Sequence, residues 1–258
     1  MKKYIFLTRR KATPYRSTVT QHGVQYGKHL WFHYVSRIAL MVARRDIASK
    51  TATTMNVLTN TFCASGSHLP NGSYVTFGGN GAIGPGGNIG SQKNAGGSGA
   101  FDATYQDYDG TKSIRVLNPC TSSQNFNDPN CQWFDNPAVL SMQKQRWYSS
   151  AESLPDGSVV LIGGFVNGGY VNRNTPNIDP TFEGGAAEPT FEFYPSRGGT
   201  PAVMNFMVET SGLNAYAHAF LMPSGKMFVQ ANLSTSVCLF TLLNGAFCSP
   251  SHSSSLGL

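Results

Sequence analysis

The chain has 258 residues, 40% hydrophobic and only 12% charged, with 28 glycines, 14 prolines and 12% aromatic residues, a composition that suits short strands joined by many turns. No apolar run reaches the roughly 18 residues that would mark a membrane-spanning helix. The net charge of +6 is unevenly held: residues 1–50 carry eleven Lys/Arg against one acid, Asp46 (+10), and the rest carries eight basic against twelve acidic residues (−4). The body is mildly acidic, which argues against a surface built to grip nucleic acid.

Residues 1–45 form an unassigned basic leader. Lys2-Lys3 and Arg9-Arg10-Lys11 flank a short apolar scrap, and the apolar core of about 7–15 residues that a secretory signal needs is missing there. Leu30 to Ala43 is more apolar, but His33 and Arg37 interrupt it. An Arg-rich, acid-poor leader also fits an organelle presequence; a disordered leader, or one that does not belong to the gene, is the favoured reading.

Residues 46–236 carry a threefold repeat. The copies are Phe62 to Gly79, Trp147 to Gly164 and Ala215 to Asn232. Each reads as a strand, a Pro-[Asn/Asp/Ser]-Gly turn (Pro70 to Gly72, Pro155 to Gly157, Pro223 to Gly225) and a β-branched or aromatic strand. Proline presets φ at the first central turn position, and glycine accepts the positive φ that closes it. Cys63, Tyr148 and Tyr216 each stand nine residues before the turn glycine. Equivalent positions of successive repeats occupy equivalent places, so the three side chains should face one region from neighbouring repeats. They can fill a tapering core there, or they can form a thiol–phenol centre.

Between the first and second copies, Gly78 to Gly99 has ten glycines in 22 residues and contains a formal dinucleotide fingerprint from Gly79 to Gly84. That fingerprint needs a helix N-terminus next, and Pro85-Gly86-Gly87 follows instead, so the stretch is expected to be a long surface loop. Asp102 has no recognisable second parallel strand to serve as a ribose acid. Tyr105 to Val116 reads as a further short hairpin. Cys120 and Cys131 bracket an Asn- and Pro-rich loop, and a disulfide is expected there, with two free thiols as the alternative. No Cys-x-x-Cys pair supports zinc. Glu183, Glu188 and Glu192 are scattered through a loop-rich excursion and read as solvated surface. His68 reads as surface, and His252 lies in a tail, 237–258, expected to continue no repeat. Asn71 and Asn232 head glycosylation sequons, informative only in a secreted chain.

On these residues the sequence resembles the glyoxal oxidases, copper radical oxidases related to galactose oxidase. The matching stretches include Thr59 to Ser67 around Phe62-Cys63, Gly78 to Asn80, Tyr108 to Gly110, Ile114-Arg115, Pro119-Cys120, Arg146-Trp147-Tyr148 and Leu154 to Gly157. The resemblance covers roughly residues 46–236. It implies an all-β, kelch-type β-propeller, here incomplete, with about three or four blades of a seven-bladed ring. It further implies that Cys63 and Tyr148 form a thioether, that Tyr148 is a copper ligand, and that the modified tyrosine carries a radical. The activity implied is oxidation of small aldehydes (glyoxal, methylglyoxal) or alcohols by O2, giving H2O2, in an extracellular, secreted protein.

The departures are specific. The family's second tyrosine ligand is followed at once by a histidine, and a further histidine comes later; this chain has no Tyr-His dipeptide. Tyr216 and His218 are spaced differently and receive no metal role. Galactose oxidase has a tryptophan eighteen residues after its radical tyrosine, where this chain has Val166 beside Phe165. The expectation is therefore a truncated, inactive oxidase-like chain whose open blade edges could support association. The alternative is a non-catalytic kelch-like module that binds glycan or protein.

Overall fold

The computed structural model describes residues 4–8, 41–46, 49–95, 97–121, 123–166, 187–204, 207, 215–230, 237–241 and 249–251. The first sheet joins β1 (Tyr4–Thr8), β2 (Met41–Arg45) and β3 (Ala52–Asn56), all antiparallel. β1 and β2 both belong to the basic leader and pair with each other, and β2 pairs in turn with β3 of the body, against the expected disordered segment.

The chain then enters β4 (Ser65–His68) and β5 (Tyr74–Phe77). An insertion follows, made of β6 (Gln92–Lys93), β7 (Gly99–Asp102) and β8 (Asp107–Tyr108), which form a small sheet of their own. β9 (Ile114–Leu117) and β10 (Trp133–Asp135) return to complete a four-stranded antiparallel sheet in the order β4-β5-β9-β10. A second such sheet has the simple order β11 (Ser150–Ser153), β12 (Val159–Ile162), β13 (Thr190–Tyr194), β14 (Ala202–Val203). A third has β15 (His218–Leu221), β16 (Lys226–Gln230), β17 (Val237–Thr241), β18 (Ser249–Ser251).

The three expected hairpins are β4–β5, β11–β12 and β15–β16. Their turns share one geometry. The N–H groups of Gly72, Gly157 and Gly225 donate to the carbonyls of Leu69, Leu154 and Met222, and those three residues donate in turn to Ser73, Ser158 and Lys226. The glycines sit at φ +84°, +84° and +75°. This is a type I turn closed by a left-handed glycine bulge. Asn71, Asp156 and Ser224 then accept the second N–H beyond them, at 3.0, 3.0 and 3.4 Å, so each turn also carries a side-chain lock.

Packing follows from strand alternation. In β12, Val159 and Leu161 join a core with Val75, Phe77, Ile114 and Met142 of the preceding sheet region. Val160 and Ile162 point the other way, into a core with Met227 and Val229 of the third sheet. A strand covered on both faces reads as an unbroken apolar run, which is what Val-Val-Leu-Ile is. The first strands lie side by side: β11 packs against both β4 and β15. Ser67 and Ser153 hydroxyls meet at 2.6 Å across the first of these contacts. Among the described residues, the sheets do not close into a ring.

Several expectations need correction. β17 and β18 show that the tail from residue 237 continues the third sheet as its outer strands. Tyr105 to Val116 is not a hairpin, because β8 pairs with β7 while β9 pairs with β5 and β10. The glycine-rich stretch is not all surface: residues 78–82 are buried, and a Cβ at Gly78 or Gly79 would stand 1.9 Å from a carbonyl oxygen, of Arg146 or Asn60. Here glycine serves close backbone approach. Glu188 and Glu192 are buried rather than solvated; Glu183 lies outside the described residues.

Glu192 is buried because it has a partner. Arg146, also fully buried, sends Nε to Glu192 at 2.9 Å and its other nitrogens to the Gly163 and Thr190 carbonyls and the Thr190 hydroxyl. Arg115 has the equivalent role in the preceding sheet, donating to Thr59 Oγ1 (2.6 Å) and to the carbonyls of Gly78 (2.8 Å) and Asn60 (3.2 Å), with Asp135 at 3.7 Å. Burial opposes the Arg115 charge, and Asp135, Asp107 and Asp109 support it. A buried guanidinium survives only when its donors are used, and both are.

Candidate thiol–phenol site

Cys63, Tyr148 and Tyr216 meet just ahead of the first strands of the three four-stranded sheets. All three hold left-handed backbone, at φ +59°, +63° and +49°. For a side chain as large as tyrosine this conformation costs about 1–2 kcal/mol per residue and persists only where surroundings enforce it. A run of backbone bonds does so: the Tyr148 N–H donates to the Cys63 carbonyl at 3.1 Å, and the Tyr216 N–H donates to the Tyr148 carbonyl at 2.8 Å. Each repeat therefore hands its left-handed residue to the next.

Around Tyr148 the site is aromatic. The Trp147 ring lies 4.4 Å from it, Tyr216 4.9 Å and Phe165 6.5 Å, all edge-on. Trp147 is held by its indole N–H to the Phe62 carbonyl (3.0 Å), and Phe165 by mutual backbone bonds with Trp147. Phe165 is buried, and Val166 is half-buried beside it.

The Cys63 thiol is free of any disulfide and lies within side-chain hydrogen-bonding reach of Tyr148, Tyr216 and Trp147. Burial pushes this thiol up, while those three hydrogen bonds pull the other way. Tyr148 is pushed up to about 12, first by its hydrogen bond with Cys63 and then by burial. Tyr216 is raised as well, chiefly by burial. At neutral pH the site is thus a protonated thiol between two protonated phenols, all oxidisable groups in contact. Next to it runs an open groove of about 400 Å³ along the first strands, lined by Ser65, Ser149, Glu152, Tyr216 and His218.

Copper of the type implied by the resemblance needs imidazole beside phenolate. Among the described residues no group of three or more His, Cys, Asp or Glu is arranged so that it could hold a metal ion. His68 is exposed with its ring against Tyr74, and His218 is exposed near Phe220; His252 lies outside the described residues. The described residues supply phenols and a thiol without the imidazoles, so by themselves they do not fit the metal.

Of the other expected residues, Cys120 and Cys131 are joined by a disulfide, with Cα atoms 5.7 Å apart, well away in sequence from the thiol centre. Trp147 carries no signal of its own in the sequence, although it sits inside the Arg-Trp-Tyr stretch. Tyr216 is marked by its offset from Gly225, but the sequence assigns it no role.

The fold and the centre together describe an all-β protein with a cysteine and a tyrosine held in contact by successive repeats. Residues 90–177 match the family described as glyoxal oxidase N-terminus. The chain is also similar to aldehyde oxidase GLOX of Vitis pseudoreticulata, 28% identical over 190 residues, covering 72% of this chain and 26% of that protein. Aldehyde oxidase GLOX1 of Arabidopsis thaliana is 27% identical over 46% of this chain and 13% of its own length. A WSC domain-containing protein of Arthroderma benhamiae is 26% identical over 69% of this chain and 15% of its own. The chain is similar to the N-terminal region of the glyoxal oxidases, and it spans about a quarter or less of the length of these curated relatives. No helix among the described residues is long and apolar enough to cross a membrane.

Proposed function

We propose that this chain carries the thiol–phenol half of a copper radical oxidase of the glyoxal oxidase type, built on the first blades of a kelch-type propeller. The observation that carries the reading is the contact between Cys63 and Tyr148, delivered by equivalent left-handed positions of successive repeats. Joined by a thioether, Tyr148 becomes easier to oxidise, and the protein's contribution is to hold the two side chains together. The activity this reading implies is oxidation of a small aldehyde or alcohol, with O2 reduced to H2O2; copper, were it bound, would supply the second one-electron site. The protein would be secreted, in keeping with the Cys120–Cys131 bridge.

The test is oxidative coupling in the purified 258-residue chain. A ruthenium trisbipyridine photo-oxidant with persulfate should join Cys63 to Tyr148, with the loss of two hydrogens located by peptide mapping. Coupling of Cys63 elsewhere, with Tyr148 untouched, would reject the reading. The hydroxyl-lined groove favours a second reading, a binding module for glycan. A glycan ligand whose affinity drops in Glu152→Gln but not in Tyr148→Phe would support it instead.

A further inference from the structure

Tyr216 belongs to the third repeat and yet touches Tyr148 in two independent ways. Its ring stands edge-on to the Tyr148 ring at 4.9 Å, and its amide bonds the Tyr148 carbonyl at 2.8 Å. Its own left-handed φ of +49° makes both contacts possible at once. The residue is 42% exposed, too open to be explained as core. Trp147 lies against Tyr148 from the neighbouring position in the chain, and Phe165 stands further off at 6.5 Å. Of the rings around Tyr148, Tyr216 is the one that a different four-stranded sheet delivers, so its presence depends on the third repeat being docked.

We propose that Tyr216 is a positioning residue of the centre: its ring and amide hold Tyr148 in the orientation in which the Cys63 sulfur reaches it. The proposal rests on reading Cys63 and Tyr148 as a coupling pair. The coupling it serves removes the thiol hydrogen and one ring hydrogen ortho to the Tyr148 hydroxyl. A carbon–sulfur bond forms, two protons pass to solvent, and two electrons pass to two equivalents of a one-electron oxidant. An aromatic ring at 216 is what the role requires; the hydroxyl is secondary, so phenylalanine should replace it.

The experiment uses the full chain in three forms: unaltered, Tyr216→Phe and Tyr216→Ala. Thermal unfolding and an intact Cys120–Cys131 bridge establish that each is folded. Under the ruthenium photo-oxidant, the unaltered chain and Tyr216→Phe should couple Cys63 to Tyr148 at matching rates, and Tyr216→Ala at least tenfold more slowly. In parallel, hydroxyl-radical footprinting of the untreated chain should show Tyr148 labelled several-fold faster in Tyr216→Ala alone, with Tyr74 unchanged as an internal reference. Undiminished coupling and unchanged Tyr148 labelling in Tyr216→Ala would overturn the proposal, as would a Tyr216→Phe variant as impaired as alanine. Should the unaltered chain not couple at all while Tyr148 is uncovered only in Tyr216→Ala, the coupling-pair reading fails and the positioning role stands.

Discussion

Arg146 shows how a single residue binds stability to the site. Its side chain occupies a buried pocket with Glu192, while its carbonyl receives the Gly79 N–H at 3.1 Å and its amide donates to Thr111 at 2.7 Å. Tyr148 follows two residues later. Removing the guanidinium leaves Glu192 buried without its ion-pair partner, so Arg146→Ala should lose about 3–5 kcal/mol in urea unfolding, and Glu192→Gln less. A loss below about 1 kcal/mol would mean that water enters and replaces the charge. Tyr148 itself offers a titration test. Its folded pKa, about 12, lies above the ordinary 10, so the unfolded chain ionises first. The stability this group contributes is fully present below pH 10 and is lost as pH rises from 10 to 12. The 295 nm phenolate difference between the unaltered chain and Tyr148→Phe should therefore develop late, after the exposed tyrosines.

At the scale of elements, much was legible and the reasons are local. A Pro-x-Gly turn between β-rich runs needs no tertiary information, so all three hairpins could be read directly. The apolar run of β12 was legible as a strand, and its burial on both faces emerges only with the two cores that flank it. The outer strands were hidden for the opposite reason. Thr190 to Tyr194 alternates weakly, and Val237 to Thr241 reaches its sheet only after a segment with no pattern, so their pairing depends on the strands already in place. Glu192 misled because an acid scattered in a loop-rich stretch reads as solvent-facing until a distant arginine is brought to it. The left-handed backbone at Cys63, Tyr148 and Tyr216 left no mark in composition, since no glycine stands there; the repeat offset marked the positions but not their conformation. Glycine chemistry gives a sharp contrast to test. Gly78→Ala would drive a Cβ to 1.9 Å from the Arg146 carbonyl, whereas Gly198, at φ +77°, has nothing within 4 Å of a new Cβ. Gly198→Ala should cost only the backbone term, about 1–2 kcal/mol. Gly78→Ala adds overpacking and should cost about 3 kcal/mol or more. Equal losses in thermal or urea unfolding would show that the Gly78 contact relaxes freely.

Across the whole molecule the sheets are unequally covered. The second lies between two hydrophobic cores, but the third presents His218 and Phe220 outward, with Phe220 55% exposed beside Phe228 at 6.1 Å and Met222 39% exposed nearby. Such a face favours association, and sedimentation should show concentration-dependent self-association that Phe220→Lys weakens. Tyr148 and Tyr216 provide phenols, but no described histidine stands beside them, and without an imidazole the metal lacks half of its expected donor set. Burial and hydrogen bonding also keep both phenols protonated at neutral pH, so neither stands ready as a base. If no imidazole reaches Tyr148, the 258-residue chain, loaded with copper and given glyoxal or methylglyoxal in air, should release no H2O2 above a copper-only control. A coupled peroxidase assay reads this directly, with an intact copper radical oxidase as the positive control. Copper-dependent turnover that disappears in Tyr148→Phe would defeat the prediction. It would mean that imidazoles reach Tyr148, and alanine substitution of the chain's six histidines, His218 and His68 first, would identify which do so.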